Sequence, residues 1–183
     1  MNTNIVEPIR DREIIRDIIN SLKGKSERDY ILFLMGIYTG LRIGDILKLR
    51  IEDVKDKKEL DSRDNKTKKS NRLELNPELM NALKKYVEGR DPHEYLIKSR
   101  KGENKPITRG QAYKVLREAA EKYNIKHIGT HTLRKTFGLH LYQLTKDITQ
   151  VQKALNHTSQ SETLRYIGLE QEKINESIKR LRY

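Results

Sequence analysis

The stretch LNHTSQSETLRYIGL, residues 155–169, sets Tyr166 nine residues after His157. A free tyrosine has a pKa near 10, so about one phenol in a thousand is ionised at neutral pH, a penalty of roughly 4 kcal/mol. Nearby guanidinium and imidazole groups lower that pKa and stabilise the charge that builds on a phosphate under attack. Ser159 or Ser161 can cap a short helix that carries the tyrosine. Tyr166 is therefore a candidate metal-free nucleophile for a phosphodiester, and a half-buried tyrosine with its hydroxyl in water is the alternative.

A second stretch, HTLRKTFG, carries another histidine and another arginine. On a helix His131 and Arg134 share a face because they are three residues apart, and the apolar residues between and after them turn toward the core. The pattern predicts that the imidazole and the guanidinium lie side by side, where both can donate hydrogen bonds to the same partner. Two surface neighbours without a common role remain the alternative.

A third stretch, TGLRIGD, places Arg42 in the turn between two apolar segments. Packing would hold this arginine, and its fork of N–H donors matches a phosphate bidentately. Asp45, three residues on, is positioned to brace the guanidinium from behind. An ordinary buried ion pair between Arg42 and Asp45 is the other interpretation.

The stretch DKKELDSRDNKTKKSN contains the lysines Lys66, Lys68 and Lys69. Their simplest interpretation is a solvated turn. A β-hairpin is also a suitable arm for delivering one ammonium into a groove next to DNA, where a mobile lysine protonates a departing alkoxide.

The composition indicates a folded basic protein. The 183 residues include 38 Lys and Arg against 26 Asp and Glu, giving a net charge of +12, with 35% hydrophobic residues. The basic residues are spread along the chain, so a polyanion is the expected partner, and nucleic acid is favoured over a membrane surface. The alternative is that the excess lysine only aids solubility.

The sequence has no cysteine, which excludes disulfides, thiolate zinc sites and cysteine nucleophiles. Its longest apolar run, YILFLMGIY, is far shorter than the roughly 20 residues of a membrane span, and its charged start does not resemble a signal peptide. We expect a soluble, cytoplasmic protein.

The periodicity predicts a mostly helical α+β fold. Isoleucines at helical spacing predict a first helix, and Ser26 caps a second that ends at Thr39 and Gly40. LKLRIEDV and RLELN alternate apolar and polar residues, which predicts a small antiparallel sheet of two or three strands at one edge.

Capping signals predict the remaining helices. Asn76 with Pro77 opens one helix, and Thr108 with Gln111 forms a capping box for the next. Three further helical segments follow at about 130–144, at 148–155 and around Tyr166. A charged tail then carries an apolar stripe, Ile174, Ile178 and Leu181.

These pieces together resemble the catalytic domain of the tyrosine recombinases, the phage integrase family. The motifs TGLRIGD, NKTKKSNRLEL, HTLRKTFG, LNH and TLRYIGL occur in the family's order, spread over most of the chain. The interval from His157 to Tyr166 also matches the family's spacing. Asn156 stands where the family usually has glycine, and asparagine tolerates the left-handed backbone angles that this helix-ending turn requires.

The resemblance implies a role for each matching residue. Arg42 and Arg134 would clamp the scissile phosphate, His131 would act as general acid/base, and Tyr166 would attack. His157 would hydrogen-bond the phosphate, and Lys66 would protonate the leaving 5′ oxygen, with Lys68 or Lys69 as substitutes. The implied product is a 3′-phosphotyrosyl linkage made without metal, ATP or other cofactor. Further DNA contacts are expected from Lys68, Lys69, Arg72 and Lys135.

The resemblance also implies a phage or mobile-element recombinase that works on double-stranded DNA as a homotetramer. We expect a single catalytic domain over residues 1–183, with a helical lead-in to about residue 25 and no upstream core-binding domain. The tail, residues 170–183, is expected to form a helix that docks on a neighbouring protomer. Packing of that helix on its own protomer is the alternative.

Two other functions compete with recombination. A type IB topoisomerase shares the chemistry but relaxes supercoils without exchanging partners. A DNA-binding regulator on an inactive recombinase scaffold, or a generic basic nucleic-acid module, would bind DNA without cutting it.

Overall fold

The computed structural model describes residues 6–63, 70–125, 127–169 and 178–182. They form a mostly helical fold with one two-stranded antiparallel sheet, which confirms the predicted fold class. The helices are α1 (Arg12–Lys25), α2 (Glu27–Thr39), α3 (Ile43–Ile46), α4 (Pro77–Val87), α5 (Arg109–Glu121), α6 (Thr132–Thr145), α7 (Ile148–Ala154) and α8 (Gln160–Tyr166). The strands are β1 (Glu59–Arg63) and β2 (Ser70–Glu74).

The helix boundaries follow local capping chemistry. The Ser26 side chain accepts from the backbone N–H of Asp29, as predicted, and α2 ends at Gly40, whose φ is +63°. Asn76 caps α4 with Pro77 in its first turn. Thr108 and Gln111 form the predicted capping box of α5.

Helix α2 and helix α6 approach closely because α2 presents two glycines four residues apart. A Cβ added to Gly36 would lie 2.3 Å from Leu133 Cδ1, and one added to Gly40 would lie 2.3 Å from Phe137 Cδ1. Only glycine leaves room for these side chains of α6. The close contact brings the first turns of α6 to the C-terminal end of α2.

The middle of the chain differs from the prediction. LKLRIEDV was expected to be a strand, but it continues from α3 into one isolated bridge, Arg50 to Tyr95, and a 3-10 turn over Ile51–Asp53. Ile51 and Val54, three residues apart, are both buried, which fits a helical turn, and the Asp53 carboxylate accepts from the Arg50 N–H at 2.7 Å. The first strand of the sheet instead lies in the polar stretch expected to be a turn, where Leu60 supplies its buried side chain.

The last three helices pack around a small apolar cluster of Leu139, Val151, Leu155 and Ile167. Gly138 of α6 allows this contact, since a Cβ there would lie 2.8 Å from Ile167 Cγ2. Ile167 directly follows α8, so the cluster fixes the end of α8, and with it Tyr166, against α6. In the part of the chain that the structure describes, no helix has the length and apolar character to cross a membrane.

Candidate active site

Tyr166, the last residue of α8, lies among two imidazoles and a guanidinium. Its hydroxyl oxygen is 3.2 Å from His131 Nδ1, and the Arg134 side chain is close enough to lower the pKa of the phenol. The His157 ring meets the tyrosine ring edge to face, with centroids 4.8 Å apart and planes at 79°. Four residues that the sequence singled out for chemistry, His131, Arg134, His157 and Tyr166, therefore share one site.

Arg134 is fixed by the ends of two other helices. It is 6% exposed, and it donates to the carbonyl of Gly40 at 2.6 Å and to the carbonyl of Leu155. These residues are the C-terminal caps of α2 and α7, where carbonyl groups lack intrahelical partners and carry the negative end of the helix dipole. The carbonyls orient the guanidinium without cancelling its charge, so the remaining donors stay available for an anion.

The environment of Tyr166 keeps its phenol neutral without a substrate. Burial raises the pKa of Tyr166 above its usual 10.0, and the positive charges of Arg134 and Arg42 oppose that rise. A base must therefore take the proton before this phenol can act as a nucleophile. His131 Nδ1 is within hydrogen-bonding distance of that proton.

His131 is suited to accept the phenol proton. Burial lowers its pKa from 6.5, and the neighbouring cations Arg134, Lys135 and Arg42 lower it further. The imidazole is therefore neutral at pH 7, with a lone pair on Nδ1 when Nε2 carries the ring proton. A neutral imidazole facing a phenol is the arrangement that general-base catalysis requires.

The orientation of His157 is set by Thr163, a threonine in the same helix as Tyr166. Thr163 Oγ1 donates to the Ser159 carbonyl at 2.9 Å, so it accepts from the ring nitrogen Nδ1 of His157 at 3.1 Å. This hydrogen bond assigns the ring proton to Nδ1 and leaves Nε2 for another partner. Burial is the main cause that lowers the pKa of His157, so Nε2 is mostly unprotonated at neutral pH, and an approaching anion such as a phosphate would favour its protonation.

Asn156 makes the turn that delivers His157. Its φ is +49°, in the left-handed region that asparagine tolerates better than most residues. The turn follows Leu155, whose carbonyl binds Arg134. The chain reversal after α7 thus serves two residues of the site.

Arg42 stands at the exposed edge of the site, at the N-terminal cap of α3. Its charge acts on His131, His157 and Tyr166, which shows that it lies near all three. The Asp45 carboxylate lies 3.6 Å from Lys48 Nζ, and its role as a brace of Arg42 stays a prediction.

The predicted DNA-binding residues have different positions. Lys66, Lys68 and Lys69 lie outside the described residues. Arg72 projects from β2 next to Asp61 of β1, at 3.7 Å, with both side chains about three-quarters exposed. Lys135 is turned inward: its ammonium is 5.2 Å from the centroid of the Tyr166 ring and donates to the Val6 carbonyl at 2.8 Å.

Sequence reasoning missed several residues that build the site. Thr163 is fully buried and orients His157, yet nothing in the sequence ties it to a histidine six residues earlier. Gly36 and Gly40 did carry a signal, because glycines four residues apart on one helix face indicate close packing against another helix. In the described ranges, no cluster of three or more His, Asp or Glu side chains is arranged to hold a metal ion.

Comparisons with known proteins agree with this geometry. Residues 11–173 match the model of the phage integrase family. The probable integrase/recombinase YoeC of Bacillus subtilis strain 168 is 47% identical over 169 residues, which cover 92% of this chain and 93% of that protein. The chain belongs to the phage integrase family.

Solved structures share the fold. A crystal structure of XerA recombinase matches with a TM-score of 0.77 at 22% identity, covering 100% of this chain and 67% of the other. The XerH site-specific recombinase, solved in a post-cleavage complex with its palindromic difH substrate, matches with a TM-score of 0.70 at 20% identity, covering 97% of this chain and 54% of the other.

Further curated relatives, 27% to 30% identical, are named tyrosine recombinases, and the chain spans only 50% to 64% of their length. Their similarity supports the conclusion that this chain is an enzyme of the tyrosine-recombinase class that acts in DNA recombination. They do not favour the topoisomerase alternative.

Proposed function

We propose that this chain cuts and rejoins DNA at specific sites by transesterification, with Tyr166 as the nucleophile. The observation that carries the proposal is the phenol oxygen of Tyr166 at 3.2 Å from His131 Nδ1, next to the buried guanidinium of Arg134. A phenol, a base and a fixed cation are the parts that attack on a phosphodiester requires. The net charge of +12 and the DNA-bound state of the similar XerH structure support DNA as the substrate.

The proposed cleavage step conserves the phosphodiester energy. The phenol oxygen of Tyr166 bonds to the scissile phosphorus while its proton moves to His131 Nδ1. The bond from phosphorus to the 5′ oxygen breaks, and that oxygen takes a proton, which we assign to Lys66. The result is a 3′-phosphotyrosyl linkage, and a 5′ hydroxyl of a second strand reverses the step.

Arg134 and Arg42 stabilise the transition state in this proposal. The nonbridging oxygens gain negative charge as the phosphorus becomes pentacoordinate, and guanidinium groups bind such oxygens bidentately. His157 donates to the same phosphate from Nε2 once it is protonated. These three groups form no covalent bond in the reaction; they lower the activation free energy by stabilising negative charge on the phosphate oxygens.

A nicked suicide substrate tests the proposal. Duplexes with a randomised core and a nick near the cleavage point let the freed 5′ fragment diffuse away, so a covalent complex accumulates on a denaturing gel. The native protein should form this complex and Tyr166→Phe should form none. Tyr113→Phe, on the exposed face of α5, is the matched control and should behave like the native protein.

Other outcomes of this experiment reject the proposal. A complex that persists in Tyr166→Phe would assign the nucleophile elsewhere. DNA binding without a complex in either protein would favour the non-catalytic regulator.

We also propose that recombination takes place in a homotetramer held together by the C-terminal tail, residues 170–183. In the part of the tail that the structure describes, Ile178 and Leu181 are 58% and 55% exposed. Exposed apolar side chains on a charged segment favour an apolar partner surface. A neighbouring protomer on DNA is the partner that a recombinase offers.

Replacing the two exposed apolar side chains with serine tests this assembly. Ile178→Ser with Leu181→Ser should spare cleavage of a single-site substrate and reduce the two-site assemblies seen by native gel and light scattering by about tenfold, because two apolar side chains lose their burial. Lys179→Ser is the matched control on the same segment. Assembly at the native level in the double variant would contradict the proposal.

A further inference from the structure

The segment formed by residues 6–10, here termed the N-terminal strap, lies across α6. The Ile9 backbone N–H donates to Thr136 Oγ1 at 2.9 Å, and His140 Nε2 donates to the Ile9 carbonyl at 2.9 Å. The Ile9 side chain is 2% exposed. The strap is therefore part of the packed structure around α6.

The strap reaches the nucleophile through two contacts. The Val6 carbonyl accepts from Lys135 Nζ at 2.8 Å, and the same ammonium is 5.2 Å from the centroid of the Tyr166 ring. At its other end, the Arg10 guanidinium donates to the Gly168 carbonyl at 3.3 Å, two residues after the tyrosine. Lys135 thus lies between the strap and the catalytic phenol.

We propose that Lys135 is a positioning residue for Tyr166: the strap holds its ammonium against the tyrosine ring, and the ammonium keeps the phenol directed at His131 and Arg134. A cation within about 6 Å of an aromatic centroid is attracted to the ring, and more strongly once water is excluded. The same positive charge favours the phenolate that forms during attack. This inference rests on the proposed function of Tyr166.

The geometry favours this role over the DNA contact that the sequence suggested. A lysine that binds a phosphate extends its ammonium into solvent, whereas the ammonium of Lys135 is half-buried and bound to a backbone carbonyl. Burial lowers the pKa of Lys135, and Glu7 of the strap opposes that shift. The side chain is thus fixed by groups on the protein side of the site.

Several charged groups share this environment, and they set the pH dependence together. The groups that act on the phenol or on its partners are Arg42 before α3, Asp45 of α3, His131, Arg134 and Lys135 of α6 and its cap, His157 after α7, Glu162 of α8 and Glu7 of the strap. Lys135 lowers the pKa of His131. Its ammonium, 5.2 Å from the centroid of the Tyr166 ring, is also placed to favour a negative charge on the phenol. Removing its charge therefore raises the pH at which both the base and the nucleophile become active.

The test compares Lys135→Met with Lys135→Arg. The measured quantity is the rate of covalent-complex formation in a single turnover, at saturating suicide substrate and between pH 6 and pH 9. Lys135→Met should react about five- to thirtyfold more slowly at pH 7, and the rising limb of its pH profile should move up by as much as about one unit. Lys135→Arg keeps the charge and should recover most of the rate and the native profile.

Two further measurements separate this role from the alternatives. A substrate with sulfur in place of the 5′ bridging oxygen has a leaving group that needs no proton, so the Lys135→Met defect should persist with it. A defect that disappears with this substrate would make Lys135 the general acid and overturn the proposal. DNA affinity and its salt dependence should stay native, whereas a salt slope reduced by about one would identify a phosphate contact and also overturn it.

A variant of the N-terminal strap tests whether the strap itself contributes to the position of Tyr166. Arg10→Gln removes the second contact between the strap and the end of α8, and it should lower the rate in the same direction as Lys135→Met but by a smaller factor. Native thermal melting of both variants would exclude unfolding as the cause. If the native protein forms no covalent complex, the proposed function fails; if it does and Lys135→Met keeps the native rate and profile, only this inference fails.

Discussion

The two arginines of the site differ in how the fold holds them. Arg134 is buried and bound by the C-terminal carbonyls of α2 and α7, while Arg42 is exposed at the cap of α3. Arg134 is built into the contact between helices, and Arg42 stands at the exposed edge of the site. The protein thus holds the Tyr166 side of the site with its own helices and leaves the Arg42 side open to solvent.

Lysine substitutions test this comparison most directly. Arg134→Lys should reduce cleavage by about a thousandfold and lower the free energy of unfolding by about 2–3 kcal/mol, because one ammonium cannot serve two buried carbonyls and a phosphate. Arg42→Lys should reduce cleavage by about a hundredfold and leave stability within about 0.5 kcal/mol, because the side chain is exposed. Single-turnover assays and urea unfolding measure both effects. Equal losses of stability in the two variants would remove the distinction.

Substitution of Gly40, at the C-terminal cap of α2, tests how the buried Arg134 is held in place. Gly40→Ala should destabilise the protein by about 2–4 kcal/mol, because alanine is strained at a φ of +63° and its Cβ would clash with Phe137. Cleavage should also fall, since the Gly40 carbonyl orients Arg134. Urea unfolding with the suicide-substrate assay measures both quantities.

Gly24→Ala is the matched control for that substitution. Gly24 lies in α1 with no atom within 4 Å of an added Cβ, so alanine there should be neutral or stabilising by up to about 1 kcal/mol. A loss at Gly24 comparable to the loss at Gly40 would mean that close packing against α6 is not the cause.

The smallest predicted effect is a pH dependence of stability from the two histidines of the site. Burial lowers the pKa of both His131 and His157 below 6.5 in the folded chain. The unfolded chain therefore binds more protons as the pH falls below 6.5, and the free energy of unfolding falls with it, while the full stability is present above about pH 7. Urea titrations at pH 7.5 and pH 5.5 measure the difference.

Replacing His157, which is half-buried, should weaken this dependence. His157→Asn should make the stability less sensitive to pH between these values. An unchanged dependence in His157→Asn would show that other groups cause it.

Much of the fold could be predicted because its signals are local. Ser26, Asn76 with Pro77, and the pair Thr108 and Gln111 mark helix starts, since a side chain caps a backbone N–H only two or three residues away. The prediction of a strand at LKLRIEDV was wrong because its signal was not decided locally. Alternation over a few residues also fits a 3-10 turn, and burial against the rest of the protein decided between the two.

The sequence by itself determined which groups are available for chemistry: one tyrosine nine residues after a histidine, two arginines in family motifs and a strong positive charge. Their types and order were enough to indicate the family, because those features belong to the chain and not to its packing.

Only the tertiary structure decided where these groups point. The Arg134 guanidinium binds a carbonyl 94 positions earlier, and Lys135, its neighbour in sequence, binds one 129 positions away while facing the Tyr166 ring. No local pattern encodes such contacts. They form because the glycines in α2 and at its C-terminal cap leave room for α6, and because the N-terminal strap packs against α6. The direction of a side chain in a folded site depends on partners that are distant in the sequence, and packing alone brings them together.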